Sequence, residues 1–173
     1  MSATTPAPAT VLHAFDKLVR LTWRDGHGFD AQSGLGGRVE IVADDDTAGL
    51  RPTEAILVAL GSCTGADVAS ILRKKRQPVG GYVVEVSGQE RAEHPQVFTR
   101  IDVLHRLDGE WIDPEAVRRS IELSVTRYCP VTAQLASGEA AITHHYRIGD
   151  GPIVTVAETG PFGHLVVHAD GDV

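Results

Sequence analysis

Cysteine is nearly absent from this chain. Among 173 residues there are two, Cys63 and Cys129, and they do not form a C-x-x-C pair. That excludes a thioredoxin-like motif. Two distant cysteines and eight scattered histidines also lack ligand spacing, so no metal and no cofactor is expected. No N-terminal segment couples a basic region to an apolar stretch, and the expected compartment is the reducing cytoplasm. The longest apolar run, Ala55 to Leu60, is too short to cross a bilayer, so no membrane partner is expected. Positive charge is in short supply, with 16 Lys and Arg against 23 Asp and Glu; the net −7 argues against nucleic acid. The one dense basic run, Arg73-Lys74-Lys75-Arg76, suits the solvated C-terminal end of a helix. A P-loop, a dinucleotide fingerprint, an internal repeat and a nucleophile elbow around Ser62 or Ser124 are all missing.

What remains is the pattern of one ordinary globular domain. The start, MSATTPAPAT over residues 1–10, reads as a flexible segment. Val11 to Trp23 alternates, with Val19, Leu21 and Trp23 on one face, and reads as a strand. A Gly- and Asp-rich loop leads to a second strand, Arg38 to Val42, closed by a turn at Asp44-Asp45-Asp46. Pro52 opens a helix from Thr53 to Gln77 whose first half is apolar all round, and a helix without a polar stripe is expected to be buried on every side. Tyr82 to Val86 and Val97 to Leu107 alternate and read as a hairpin around His94-Pro95. Asp113-Pro114 starts a second helix that must end near Cys129, because Pro130 disfavours helical geometry before it. A short helix over Val131–Ala136 and a strand over Ala140–Ile148 complete a domain of residues 11–148. Residues 149–173 form a C-terminal extension in which Ile153–Val156 and Leu165–His168 read as a β-hairpin. The order is α+β with a largely antiparallel sheet. One sheet can hardly wrap an all-apolar helix, so a homodimer is expected.

Gly61 and Gly65 flank Cys63, and each glycine costs about 1 kcal/mol inside a helix. Such a pair implies a helix break, close backbone packing, or room for a ligand beside the sulfur. A reactive thiolate needs a helix N-terminus, hydrogen-bond donors or a cation. A break at Gly61-Ser62 supplies the first for Cys63, and the helix after Pro130 supplies it for Cys129. The candidate cations are Arg20, Arg24, Arg38 and Arg51. Asp67, one turn after Cys63, would raise that thiol's pKa if ionised and close, and otherwise reads as a helix-face residue bonded elsewhere or turned to water. Two isolated cysteines on their own favour plain buried packing residues.

The segment RPTEAILVALGSCTGADVASILRKKRQPV, followed in order by Tyr82–Val86, EHPQVFTRIDV and LSVTRYCPVTAQL, resembles the OsmC/Ohr superfamily of osmotically inducible and organic-hydroperoxide-resistance proteins. The match covers roughly residues 34–148. The resemblance implies an OsmC-like fold: antiparallel sheets wrapped around two long central helices in an intertwined homodimer. It implies a thiol-dependent peroxidase for organic hydroperoxides, with Cys63 as the peroxidatic and Cys129 as the resolving cysteine, recycled by a small or lipoyl-type dithiol without a bound cofactor. Well-characterised members pair an arginine with a glutamate ten residues before the first cysteine. Here Thr53 occupies that place and Glu54 follows it, so Glu54 with Arg20, Arg24 or Arg38 form the candidate activating set. Two other readings share the scaffold: a binding protein for a small apolar or acyl ligand, and a slow-cycling redox-responsive stress protein.

Overall fold

A computed structural model describes residues 17–24, 28–42 and 48–168. The chain divides into two compact units, Met1–Ala55 and Ile56–Val173.

The first unit holds a three-stranded antiparallel sheet in the order β1 (Val19–Arg24), β2 (Gly28–Ser33), β3 (Arg38–Val42). β1 and β3 follow from their alternation; residues 11–16 of the expected first strand and the Asp44–Asp46 turn lie outside the described residues. β2 falls where the sequence reads as a loop, since GFDAQS has no alternating apolar face of its own. Its pairing is set by its neighbours: Trp23 lies opposite Phe29, and Leu21 opposite Ala31. Gly28 has φ +149°, and a Cβ there would sit 2.1 Å from the Ile41 carbonyl oxygen, so the β2–β3 approach requires glycine.

In the second unit α1 (Pro52–Lys74) enters and runs without a break through both glycines. It stops short of the expected end. Arg76 takes a left-handed φ of 56°, with Arg76 N–H donating to Arg73 O and Gln77 N–H to Leu72 O, a Schellman closure without glycine. The basic run there is exposed, as its composition implies. The expectation that α1 is buried on every side does not hold: Leu60, Val68 and Leu72 are buried, yet Val58 is 53% exposed. An apolar helix can meet one sheet with only one side, and the other side of this one is exposed. Among the described residues α1 is also the one helix long and apolar enough to cross a membrane, with mean hydropathy 1.8 across its best window. Its glycines, alanines and threonines extend that window well beyond the short Ala55–Leu60 run. The side that packs on the sheet marks it as a core helix.

The sheet has five strands in chain order: β4 (Gly81–Glu90), β5 (Phe98–Asp108), β6 (Ala141–Ile148), β7 (Val154–Thr159) and β8 (Leu165–Val167). All neighbours are antiparallel except β5 and β6, which are parallel. That parallel pair needs a crossover, built from α2 (Pro114–Leu123), one π-helical turn (Ser124–Tyr128) and α3 (Pro130–Ala136). Asp113 caps α2 by accepting from Glu115 N–H, and Pro114 follows at N1, as read from the sequence.

The inward residues of β5 and β6 are those of the alternation: Ile101, Val103, His105 and Leu107, then Ile142, His144 and Tyr146, all under 10% exposed. They do not form one continuous core. One apolar cluster holds Val68, Leu72, Leu107, Ile121 and Tyr146. The other holds Leu60, Ile101, Val103, Cys129 and Ile142. Between them each element places a polar residue: Thr64 on α1, His105 on β5, His144 on β6 and Ser124 on the π turn, each 0% exposed.

Candidate functional site

Cys63 sits in the middle of α1, so its own helix offers its sulfur no N-terminus, and the expected break at Gly61-Ser62 is absent. The glycines serve close packing instead. A Cβ on Gly61 would lie 2.8 Å from Val86 Cγ2, and one on Gly65 3.1 Å from Val84 Cγ2, so β4 lies directly on this side of the helix. Cys63 is left half-buried beside the second apolar cluster.

Cys129 closes the π turn, donating its N–H to Ser124 O at 2.8 Å. Pro130 forces it into an extended conformation, φ −79° and ψ 101°. Its side chain thereby becomes the cap of α3, and Sγ accepts the Thr132 N–H at 3.3 Å. The cysteine is 3% exposed.

The two sulfurs and a carboxylate oxygen of Asp67 lie within 4.8 Å of one another. Residues far apart in sequence thus share one site, and Asp67, one turn after Cys63 on the same helix face, is close to the thiol. It is nevertheless bonded elsewhere too: Ser124 Oγ lies 2.8 Å from Asp67 Oδ2 and 3.1 Å from Thr64 Oγ1. Ser124 has one proton to give. Directed to the carboxylate, it leaves the Thr64 hydroxyl as donor to Ser124. Neither Ser124 nor Thr64 carries a sequence signal, because both contacts bridge α1 and the π turn.

Burial, and next the hydrogen bond with Cys129, push the Cys63 thiol up to about 11. The Val131 N–H acts the other way, and the charges of Cys129 and Asp67 add to the rise. Successive amides at the start of α3, Val131 and Thr132, therefore serve the two sulfurs. Among the described residues, the charged groups acting on Cys63 have the sign of the thiolate itself.

The candidate activating residues fall in the first unit. Arg20, Arg24 and Arg38 share the polar face of its sheet, with Arg20 and Arg38 both opposite Gln32. Arg24 is committed to Glu40 and Asp30. Arg20 and Arg38 have no carboxylate partner among the described residues. Glu54 accepts the Arg51 N–H at 2.8 Å and meets the Arg51 guanidinium at 3.7 Å. It therefore organises the first turn of α1. At about 100° per residue, Glu54 and Cys63 leave the helix on opposite sides.

A second polar group lies deeper. Tyr82 Oη and His105 Nδ1 are 2.6 Å apart, and the His105 ring stacks on His144 at a centroid distance of 6.0 Å. Burial lowers both histidines to about 3 and raises Tyr82. His145, the next residue, points to the opposite sheet face and meets Asp102 and Thr155, so the adjacent histidines are not joint ligands.

Comparison with known proteins gives one consistent result. Residues 43–145 match the family model described as OsmC-like protein. Protein YhfA of Escherichia coli K12 is 33% identical over 129 residues, covering 75% of this chain and 96% of the relative. The crystal structure of a hypothetical protein from Aquifex aeolicus is 29% identical, with a TM-score of 0.66 over 78% of this chain and 98% of that one. The organic hydroperoxide resistance protein OhrB of Bacillus subtilis shares the fold, with a TM-score of 0.53 at 15% identity over 78% of this chain and 99% of its own.

Proposed function

This chain belongs to the OsmC-like protein family, and we propose that within it the chain is a thiol-dependent peroxidase for organic hydroperoxides in oxidative stress defence. The observation that carries the proposal is the meeting of the Cys63 and Cys129 sulfurs within 4.8 Å. The half-buried Cys63 attacks as thiolate. Its sulfur takes the distal oxygen of R–O–O–H, the O–O bond breaks, and the alkoxide leaves as alcohol after protonation; the product is a Cys63 sulfenic acid. The Cys129 thiol then displaces that hydroxyl as water, forming a disulfide. An external dithiol returns both thiols by exchange and is itself oxidised. Leu57, Val86, Phe98 and Leu135 pack with Cys63 on the same apolar cluster and favour an alkyl or aryl hydroperoxide. The fold shared with the hydroperoxide resistance protein of B. subtilis supports this assignment. A raised thiol calls for a cation, and Arg20 and Arg38, without a carboxylate partner among the described residues, are the candidates.

The working unit is a homodimer. Ala59, Ser62, Ala66 and Ala69 form an exposed small-residue line along α1, and Val19, Leu21 and Trp23 an exposed apolar face on β1. A second copy covering both supports the two-helix centre of the family. Light scattering should give a dimer, and Ala66→Arg should give a monomer.

Turnover of cumene hydroperoxide with dithiothreitol should be lost in Cys63→Ser. Cys129→Ser should stop after one equivalent, with a sulfenic acid that dimedone traps. Undiminished turnover in Cys63→Ser would reject the assignment. One observation favours a second reading, a slow-cycling redox-responsive protein: burial, with the Cys129 contact and the neighbouring Asp67 carboxylate, holds the Cys63 proton on. That reading expects stoichiometric disulfide formation without sustained turnover.

A further inference from the structure

We propose that the reduced site binds a thiophilic divalent cation of the zinc or cadmium class through Cys63, Cys129 and Asp67. The proposal rests on donor type and geometry and stands whether or not the peroxidase assignment holds. Two sulfurs and one carboxylate oxygen, all within 4.8 Å of one another, offer three donors to one ion. With metal–sulfur bonds of about 2.3 Å, the tetrahedral edge between two sulfurs is about 3.8 Å. The site is therefore wider than a filled one by about an ångström at most, a gap that small side-chain rotations close.

Three features hold the donors in place. Ser124 donates to Asp67 Oδ2 at 2.8 Å and orients the carboxylate, the outer hydrogen bond that metal-binding carboxylates typically carry. The Thr132 N–H at 3.3 Å from Cys129 Sγ, and the Val131 N–H on Cys63, stabilise sulfur in its anionic form. The donors come from two elements, α1 and the α3 cap, joined through the buried Ser124–Thr64 contact, so they are held before the ion arrives.

Charge favours the same class of ligand. Two thiolates and a carboxylate carry three negative charges, and among the described residues no cation acts on Cys63. A divalent ion supplies the missing positive charge directly. Two sulfurs select a soft or borderline ion over magnesium or calcium, which require oxygen shells. Three protein ligands leave a fourth position open, and Cys63 is only half-buried. Oxidation of the pair to a disulfide removes two of the three ligands, so the ion binds the reduced chain only. The balance is two metal-bound thiolates, one hydroperoxide and two protons giving a disulfide, an alcohol, a water and the free ion.

The test is a titration of the full reduced chain with Co(II), in the absence of any hydroperoxide. The expected result is one ion per chain with a thiolate-to-cobalt charge-transfer band in the near ultraviolet, displaced by Zn(II) or Cd(II). Diamide oxidation should abolish the band. Cys63→Ser and Cys129→Ser should each roughly halve the band and weaken binding at least tenfold. Asp67→Asn should keep the band and weaken binding about tenfold. If a cysteine variant fails to fold, the wild-type chain still decides: one equivalent of Cd(II) should protect both thiols from iodoacetamide. No charge-transfer band with Co(II) in excess, unchanged alkylation under Cd(II), or equal binding after diamide overturns the proposal. Loss of peroxide turnover alone does not touch it.

Discussion

The hydroxyl of Ser124 stands 2.8 Å from the Asp67 carboxylate, and this contact fastens the π turn that ends at Cys129 to the helix that carries Cys63. Both partners of the sulfur pair thus depend on a residue that never touches either sulfur.

Ser124→Ala removes that fastening and leaves the part-buried Asp67 and the fully buried Thr64 without their shared partner. The expected loss of stability is about 1–3 kcal/mol. Closure of the Cys63–Cys129 disulfide under diamide should slow as well. Urea unfolding and timed alkylation measure the two effects. A variant as stable and as fast as the wild type would show that Ser124 does not fasten the π turn to α1.

Asp67→Asn removes an anion that helps hold the Cys63 proton on, although burial is the larger cause. Alkylation of Cys63, followed by peptide mapping across pH, should reach its midpoint at lower pH in the variant. The shift should be small, because burial and the Cys129 contact stay. A midpoint that stays put or rises would show that Asp67 does not act on the sulfur.

His105 and His144 predict a stability that erodes in mild acid. Burial holds both folded-state values near 3, against an ordinary 6.5. Between those limits the unfolded chain takes up protons that the folded chain refuses, so stability is full above about pH 6.5 and falls as the pH drops below it. The slope approaches about 1.4 kcal/mol per pH unit for each histidine. Denaturant midpoints from pH 7.5 to 4.5 give the curve, and His144→Leu should flatten it by about half. A curve flat down to pH 5 contradicts the burial of these rings.

The paired glycines make opposite claims on the helix. Alanine raises helix propensity by about 1 kcal/mol, but overpacking costs about 1–3 kcal/mol. At Gly61 the added carbon meets Val86 at 2.8 Å, and Gly61→Ala should destabilise. At Gly65 the nearest atom is 3.1 Å away, and Gly65→Ala should come close to neutral. Thermal melts of the two variants, side by side, test the ordering; the reverse order would reject direct β4 packing on this face.

These residues also show what was legible in the sequence. Alternation alone placed His105 and His144 on the inner face, because period two leaves no freedom about which side a residue takes. The Cys-Pro junction placed the end of the crossover at Cys129, since proline acts on its immediate neighbour. The family resemblance brought the cysteines together. β2 was hidden because its strand character comes from β1 and β3 rather than from GFDAQS. The parallel pairing of β6 with β5 was hidden because local pattern carries no direction. Asp67 was read as bonded elsewhere, but its partner Ser124 could not be named because it lies on the π turn, remote in sequence. Local signals reach a few residues, and the site is assembled from contacts that span the crossover.

That crossover has one more consequence. β4, β5, α2 and the π turn all lie between the two cysteines along the chain. A bond between Cys63 and Cys129 would therefore lasso the central hairpin and the helix behind it into a closed ring of about 65 residues, which chain entropy values at roughly 4 kcal/mol. Spent protein would be the sturdier form, harder for heat or a protease to open. Reduction would return reactivity and fragility together.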